Sequence, residues 1–160
     1  MLNVTMLCVG KLKEAYWRDA CAEYEKRLGA FCRFRLIEVA EERLPDNPSA
    51  AQIAATVEAE GKRLLDQIPR DSAVIPMCIE GKELDSPALA ARMQKLAVDG
   101  TSHIVFVIGG SWGLSDSVKS KGLLRLSMSP MTFPHQLARV MLLEQIYRAF
   151  QISSGGKYHK

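Results

Sequence analysis

The sequence has little of what marks zinc-binding, redox or secreted proteins. It holds four cysteines in 160 residues, and none of them forms a C-x-x-C pair. Zinc ribbons and thioredoxin-like motifs are therefore unsupported, and we expect no metal site. The cysteines are expected to be reduced, mostly buried thiols of a cytosolic protein. They are Cys8, Cys21, Cys32 and Cys78.

Long apolar runs are also missing. The nearest candidate for a membrane span is interrupted by Arg139, Glu144 and Arg148, so a membrane partner is not expected. The first ten residues lack the basic start and the small-residue cleavage site of a signal peptide. The sequence therefore predicts a cytoplasmic protein.

Neither sign of charge dominates. The chain has 21 Lys and Arg residues and 18 Asp and Glu residues, which gives a net charge of +3. A balance this weak neither demands nor excludes a nucleic-acid partner. Hydrophobic residues make up 48% of the chain, an ordinary globular composition that can bury a core without metal or disulfide staples. No linker, internal repeat or low-complexity tract divides the chain, so we predict one domain over residues 1–160.

What the sequence does contain is a regular alternation of strand-like and helix-like segments. The predicted strands cover residues 2–9, 33–39, 73–79, 103–108 and 123–128, and the predicted helices about 16–28, 53–68, 86–98, 115–121 and 134–153. Ser86 is predicted to cap the third helix, and Gly81-Lys82 to turn the chain after the third strand. This order predicts an α/β domain with a largely parallel sheet covered by helices on both faces.

The last predicted helix, from Pro134 to about Ser153, has almost no polar face. A helix that is apolar nearly all round must be buried nearly all round. The sheet can cover one side, and a symmetric dimer would cover the other. A central core helix in a monomer is the alternative, but the pattern favours the dimer.

Three loops follow the carboxyl ends of predicted strands, where open parallel sheets bind ligands. They are Cys78–Lys82, Gly109–Ser115 and Met128–Phe133. The glycines at 109, 110 and 113 let a ligand approach the backbone closely, although they match neither the Walker loop nor G-x-G-x-x-G.

The third of these loops has a fixed path because Pro130 and Pro134 restrict its backbone. Its exposed N–H and C=O groups can read an adenine edge, with Met131 and Phe133 as an apolar seat. The alternative is that Met131 and Phe133 simply lie in the core at the start of the last helix.

These residues carry a resemblance to a known family. The chain resembles the bacterial large-subunit ribosomal RNA methyltransferase H family along its whole length. The segments that carry it are Val9–Lys13, Ile108–Ser115, Met131–His135, Arg139-Val140, Glu144–Ala149 and Tyr158-His159. The resemblance implies a SPOUT fold with a C-terminal trefoil knot at roughly residues 73–154, a homodimer, and S-adenosylmethionine held by the knot loops. By position, the implied cofactor residues are Met77, Gly110, Met128, Ser129, Pro130, Met131, Thr132 and Phe133. Met77 stands where leucine is usual, a swap that keeps size and polarity.

The implied reaction is methylation of N3 of a pseudouridine in 23S ribosomal RNA, on the assembled ribosome. The enzyme must align acceptor, methyl group and sulfur and exclude water. The catalytic candidates are His159, which can take the acceptor proton, Tyr158, and Arg148, which can stabilise negative charge on the ring carbonyls. The alternative is that these residues only grip phosphate or stack on a base.

Several other side chains leave two interpretations open. Trp112 stacks on a base or packs in the core. We expect His135 to make a structural hydrogen bond and His103 to lie at a sheet edge. Lys157 and Lys160 are candidate phosphate contacts. Arg33 and Arg35 are candidates too, although a solvated strand face is favoured for them.

Two rival functions remain at this point. A flavodoxin-like or Rossmann-type nucleotide-binding protein is disfavoured, because the glycine loop follows the fourth predicted strand and not the first. A non-catalytic ribosome-binding or assembly factor would need basic surface but no rigid cofactor loops. S-adenosylmethionine should raise the melting temperature only if the cofactor site is real.

Overall fold

The computed structural model describes residues 1–160, in which five strands alternate with five helices. The strands are β1 (Asn3–Val9), β2 (Arg33–Val39), β3 (Ala73–Glu83), β4 (His103–Ile108) and β5 (Leu126–Ser127). The helices are α1 (Ala15–Leu28), α2 (Ala50–Gln67), α3 (Ser86–Val98), α4 (Asp116–Lys119) and α5 (His135–Ser153). The element order is the one that the sequence predicts.

The five strands form one sheet in the order β2-β1-β4-β3-β5, and every neighbouring pair is parallel. The predicted α/β class with a largely parallel sheet is therefore confirmed. Because all strands run the same way, their carboxyl ends and the loops that follow them meet at one edge. The strand order differs from the flavodoxin order 2-1-3-4-5, since β4 here lies beside β1.

Helices cover both faces of the sheet, as predicted. Successive side chains of the central strands alternate between two cores: Ile104 and Phe106 of β4 face the core shared with α1, α3 and α5, whereas Val105 and Val107 face the one shared with α2 and α4. All four cysteines are free and buried, and burial raises the pKa of the Cys8 thiol to about 12. No helix is both long and apolar enough to cross a membrane. No group of three His, Cys, Asp or Glu side chains is placed to hold a metal ion.

The start of α3 differs by one residue from the prediction. Asp85, not Ser86, is the N-cap, and its Oδ1 accepts the Ala88 N–H at 2.8 Å. Aspartate caps as well as serine does, and this choice frees the Ser86 hydroxyl, which donates to Gln145 Oε1 of α5 at 2.6 Å. Asp85 therefore caps α3, and the neighbouring Ser86 links α3 to α5.

The predicted turn at Gly81-Lys82 is wrong, because β3 continues to Glu83 through an irregular stretch. Met77 and Lys82 both pair with Leu126, so the register shifts between them. Gly81 allows a close backbone approach here: a Cβ would lie 2.7 Å from the Arg125 carbonyl oxygen. The strand predicted at residues 123–128 shortens to Leu126–Ser127, since only this piece meets the irregular edge of β3.

A single buried arginine fixes the start of α5. Arg139 is 1% exposed. Its Nη1 donates to Glu38 Oε2 at 2.6 Å. Its Nη2 donates to the Val9 and Gly10 carbonyl oxygens at 3.1 and 2.6 Å. The last helix is thereby tied to the carboxyl ends of β1 and β2, next to the edge where the loops meet.

Candidate functional site

Two loops at the carboxyl edge, Gly109–Ser115 and Met128–Phe133, and the irregular part of β3, which was predicted as the loop Cys78–Lys82, enclose a cavity of about 160 Å³. Seven of the eight residues assigned to the cofactor by resemblance line it, and Pro130 alone does not. The seven are Met77, Gly110, Met128, Ser129, Met131, Thr132 and Phe133. The structure therefore brings together, from β3 and from two loops, seven residues that the resemblance assigns to the cofactor.

The loop from Met128 to Phe133 is held in place by serine hydroxyls. Ser127 Oγ lies 3.0 Å from the Ile79 carbonyl oxygen and 3.1 Å from that of Ser129. Ser129 Oγ accepts the Met131 N–H at 3.0 Å. Met131 is 72% exposed, so the interpretation that it lies in the core is wrong, whereas Phe133 is half-buried. A rigid backbone with apolar side chains beside it suits a flat heteroaromatic ring.

The glycine loop is shaped by close contacts behind it. A Cβ on Gly110 would lie 3.3 Å from both Val9 Cγ1 and Glu60 Oε1. Glu60, on α2, is buried, and its Oε2 accepts the Glu42 N–H at 3.0 Å. Burial raises the pKa of this carboxyl group. Sequence reasoning passed over Glu60 because one glutamate on an amphipathic helix gives no signal of burial.

Two larger cavities adjoin the loop cavity. One, of about 560 Å³, lies between α3 and α5 and shares Met77, Leu126 and Met128 with it. The other, of about 900 Å³, lies beyond the glycine loop and includes Trp112 and Lys119. Cofactor-sized ligands usually occupy cavities of roughly 300–1,000 Å³. At about 160 Å³ the loop cavity is below this range, so a cofactor-sized ligand in it would also need one of the two neighbouring cavities.

The three predicted catalytic residues meet around Glu144 of α5. Its Oε1 accepts hydrogen bonds from Arg148 Nε at 2.8 Å and from the Tyr158 hydroxyl at 3.2 Å. Arg148 Nη1 lies 3.1 Å from His159 Nδ1, and its guanidinium stands 4.7 Å from the centroid of the Tyr158 ring. Burial, followed by the Glu144 charge, raises the pKa of Tyr158. The tail therefore folds back on α5 as one hydrogen-bonded cluster.

His135, beside the loop from Met128 to Phe133, lies at the start of α5, whereas the tail cluster packs against the middle and later part of the helix, at Glu144 and Arg148. From His135 to Arg148 the helix rises by roughly 20 Å, at about 1.5 Å per residue. The 560 Å³ cavity touches both groups, since Met77, Met128 and Glu144 all line it. No pattern in the sequence indicates where along α5 the tail packs.

The histidines differ from the predictions made for them. The His135 ring makes no hydrogen bond within the chain and lines both the loop cavity and the 900 Å³ cavity. Burial and the nearby Arg139 lower its pKa. His103 lies in β4, at the centre of the sheet and not at an edge, and its Nε2 is 2.7 Å from Thr5 Oγ1. The position of His135 directly after the third loop is the signal that could have marked it.

The basic and aromatic candidates are mostly at the surface. Arg33 and Arg35 are exposed on β2, an edge strand, as a solvated strand face requires. Lys157 and Lys160 are exposed in the tail. Trp112 is 50% exposed, so its assignment to the core is wrong.

Comparison with known proteins agrees with this geometry. A family model described as a predicted SPOUT methyltransferase matches residues 2–159. Ribosomal RNA large subunit methyltransferase H of Bifidobacterium adolescentis is 48% identical over 159 residues, which cover 99% of this chain and 100% of that protein.

Two solved structures share the fold at low sequence identity. Ribosomal RNA small subunit methyltransferase E from Neisseria gonorrhoeae, bound to S-adenosyl methionine, matches with a TM-score of 0.52 and 14% identity, over 95% of this chain and 66% of that one. A probable methylase family protein from Haemophilus influenzae Rd KW20 matches with a TM-score of 0.51 and 13% identity, over 99% and 70%. This chain thus spans about two thirds of the length of these neighbours.

Proposed function

Because this chain belongs to the SPOUT methyltransferase family, we propose that it methylates N3 of a pseudouridine in 23S ribosomal RNA, with S-adenosylmethionine as the methyl donor. The observation that carries the proposal is the loop cavity, which seven of the eight expected cofactor residues line. The natural substrate is the assembled ribosome, and an enzyme with this substrate works in the cytoplasm.

The loop residues fit the proposed methyl donor. Met77, Met128 and Phe133 offer an apolar seat for an adenine ring, and the backbone of the loop from Met128 to Phe133 offers polar groups for its edge. Gly110 has no side chain, and its backbone packs closely against Val9 and Glu60. The part of the cavity next to Gly110 therefore stays open. When bound, S-adenosylmethionine supplies an electrophilic methyl group on a positively charged sulfur. The chain's own task is to hold acceptor and donor in line and to exclude water.

The tail cluster supplies the groups that the acceptor needs. Arg148 stabilises the negative charge that develops on the ring carbonyls as N3 loses its proton. His159 either accepts that proton or, with Tyr158, holds the RNA. Glu144 fixes the orientation of both Arg148 and Tyr158 through its hydrogen bonds.

A homodimer brings the two groups together. Within one chain, His135 beside the loops and Arg148 of the tail cluster are roughly 20 Å apart along the helix, and in the proposed dimer the tail of a second copy approaches the loops of the first. Val140 and Met141 of α5 are half-buried, apolar, and line the 560 Å³ cavity. Their remaining surface is what a two-fold symmetric partner would cover.

Residues 73–154 are proposed to form the trefoil knot that the family resemblance implies. Strand β5 pairs with β3 at one edge of the sheet, whereas α5, which follows it, sends Arg139 to the end of β1. The chain thus doubles back over strands that precede it. Stretching the protein from both termini tests this: a tightened knot keeps the extended chain short of about 3.3–3.6 Å per residue, and the full length would contradict it.

The first test is transfer of labelled methyl from S-adenosylmethionine to ribosomes that lack the modification, followed by mass spectrometry of the labelled nucleoside. We expect label on a single pseudouridine, and more of it on whole ribosomes than on separate subunits or a naked stem-loop. A Gly110→Val variant should be inactive, because its side chain would press on Val9 and Glu60, and this excludes a contaminating enzyme. No label on ribosomes that demonstrably carry the unmethylated pseudouridine would overturn the proposal, and a non-catalytic ribosome-binding factor would become the better explanation.

A further inference from the structure

The 900 Å³ cavity beyond the glycine loop shares a wall with the proposed methyl-donor cavity. Eight residues line both spaces: Met77, Cys78, Ile79, Gly110, Gly113, Thr132, Phe133 and His135. Whatever occupies the larger cavity therefore lies next to the group to be transferred. We call this larger cavity the outer cleft.

Trp112 reaches the rim of the outer cleft from the tip of a tight turn. The Gly113 N–H donates to the Gly110 carbonyl oxygen at 3.1 Å, and Gly113 has a φ of 83°, so Ser111 and Trp112 form the tip. The indole is 50% exposed and is outside every aromatic pair within the chain. The Trp112 indole, on this tight turn, therefore exposes part of a flat apolar surface, and no aromatic ring of the chain stacks on it.

Other exposed apolar side chains lie close by. Ile79, 50% exposed, lines both cavities, and Met131, 72% exposed, lines the loop cavity. Single exposed apolar residues need no explanation, but Ile79 and Trp112 both line the outer cleft, which gives this one cavity two exposed apolar side chains. The occupant must therefore offer an apolar face of its own.

The charges of the outer cleft restrict the occupant further. Lys119 is paired with Glu80 at 2.6 Å, so the one lysine of the lining is largely neutralised. A phosphate would find little free positive charge there, whereas a flat, uncharged, aromatic group would find an indole and the Gln136 amide. Among the parts of an RNA, that description fits a nucleobase.

We propose that the outer cleft holds an unpaired base of the RNA substrate, stacked on Trp112, beside the nucleotide that is methylated. This inference rests on the proposed function and adds a specificity residue to it. Stacking of a base on an aromatic side chain is typical of single-stranded RNA recognition, because paired bases in a helix hide their faces.

The first experiment uses Trp112 as a reporter. The chain has two tryptophans, so a Trp17→Phe variant leaves Trp112 as the only one. We expect its emission to be quenched when a stem-loop RNA binds in the presence of S-adenosylhomocysteine, and not when polyphosphate is added. Unchanged emission, with RNA binding verified by the anisotropy of a labelled RNA, would overturn the inference. Poor access of acrylamide to Trp112 before RNA is added would also overturn it, because a second copy of the chain would then cover the cleft.

The second experiment separates stacking from structure by methyl-transfer kinetics. Trp112→Ala should raise the KM for the RNA substrate roughly 5- to 150-fold, the range expected for loss of one stacked base. Trp112→Phe should recover most of the loss and Trp112→Leu should not. Leu123→Ala is the matched control, since Leu123 is 54% exposed but lines none of the three cavities around the loops. The affinity for S-adenosylmethionine should stay constant in all four variants.

The salt dependence of binding gives a further distinction. Losing a phosphate contact lowers the slope of log affinity against log salt by about one, whereas losing a stacked base leaves the slope unchanged. We therefore expect the same slope for Trp112→Ala and the wild type. If the wild type is active and Trp112→Ala has the same kinetics, the stacking role alone is refuted. If the wild type itself is inactive, the proposed function is refuted.

Discussion

Arg139 is the most deeply buried charged side chain of the fold, and it lies among groups of opposite polarity. Glu38 and the Val9 and Gly10 carbonyl oxygens accept its hydrogen bonds, whereas Nε has no partner. A buried ion pair adds little to stability relative to apolar residues, but removing one partner leaves the other polar groups uncompensated.

Arg139→Ala is therefore expected to lower the free energy of unfolding by about 3–5 kcal/mol, measured by urea denaturation. The control is Lys95→Ala, which breaks the exposed pair with Asp99 and should change stability far less, because water screens such a pair. Similar losses in the two variants would mean that the buried contacts of Arg139 contribute little.

Stability should depend on pH through two histidines. Burial lowers the pKa of His135, with Arg139 adding to the effect and Glu41 opposing it. Burial and Arg35 lower the pKa of His103. Since the unfolded chain binds protons more readily than the folded one, stability should fall as the pH drops through the ordinary histidine pKa, about 6.5.

The measurement is the free energy of unfolding at pH 7.5 and pH 5.5. His135→Gln and His103→Gln should each remove part of the difference, at most about 1.4 kcal/mol per pH unit for each proton. An undiminished difference in the double variant would assign the pH dependence to other groups.

Among the elements, α2 supports the glycine loop from behind through a small residue. A Cβ on Gly61 would lie 2.3 Å from Ser115 Oγ, and the Ser115 hydroxyl caps α4 at the end of that loop. The glycine therefore sets how closely α2 approaches the loop.

Gly61→Ala tests this contact, because intrinsic helix propensity predicts the opposite sign. Alanine is favoured over glycine by about 1 kcal/mol inside a helix, yet here we expect lower stability and weaker binding of S-adenosylmethionine by calorimetry. Ala55→Gly, at an exposed interior site of the same helix, should cost about 1 kcal/mol and leave binding unchanged. A stabilised Gly61→Ala variant would show that α2 can move away freely.

Whether the sequence predicts the first and last residues of an element depends on what determines those bounds. Strands β2 and β4 are confirmed at their predicted bounds, because an uninterrupted side-chain pattern defines them. Strand β5 was predicted too long, since its two residues are set by pairing with the irregular edge of β3. The glycine loop was predictable because it follows the correctly predicted end of β4, whereas the cluster around Glu144 depends on a tail that folds back onto α5.

For the whole molecule, the distance between loops and tail predicts complementation between two defective chains. Gly110→Val impairs the loops and Arg148→Ala impairs the tail. Co-expressed with different tags and purified as a mixed dimer, the two chains should recover about half of the wild-type methyl transfer, since a two-fold dimer then holds one intact pair of loops and tail.

Each variant expressed alone should remain inactive. If the tail acts on the loops of its own chain, the mixed dimer will be as inactive as either parent. Val140→Arg should give a monomer by analytical ultracentrifugation and should also abolish transfer. A fully active monomer would contradict the dimer.

The contact between Arg139 and the Val9 carbonyl spans 130 positions of the chain, and it has a consequence for synthesis. Contacts between distant parts of a chain form slowly, because the closing of a long loop must come first. During translation β1 emerges early, but Arg139, which contacts its end, is synthesised only when nearly the whole protein has been made. An enzyme proposed to modify ribosomes would thus be unable to assemble its own site until the ribosome producing it has almost finished.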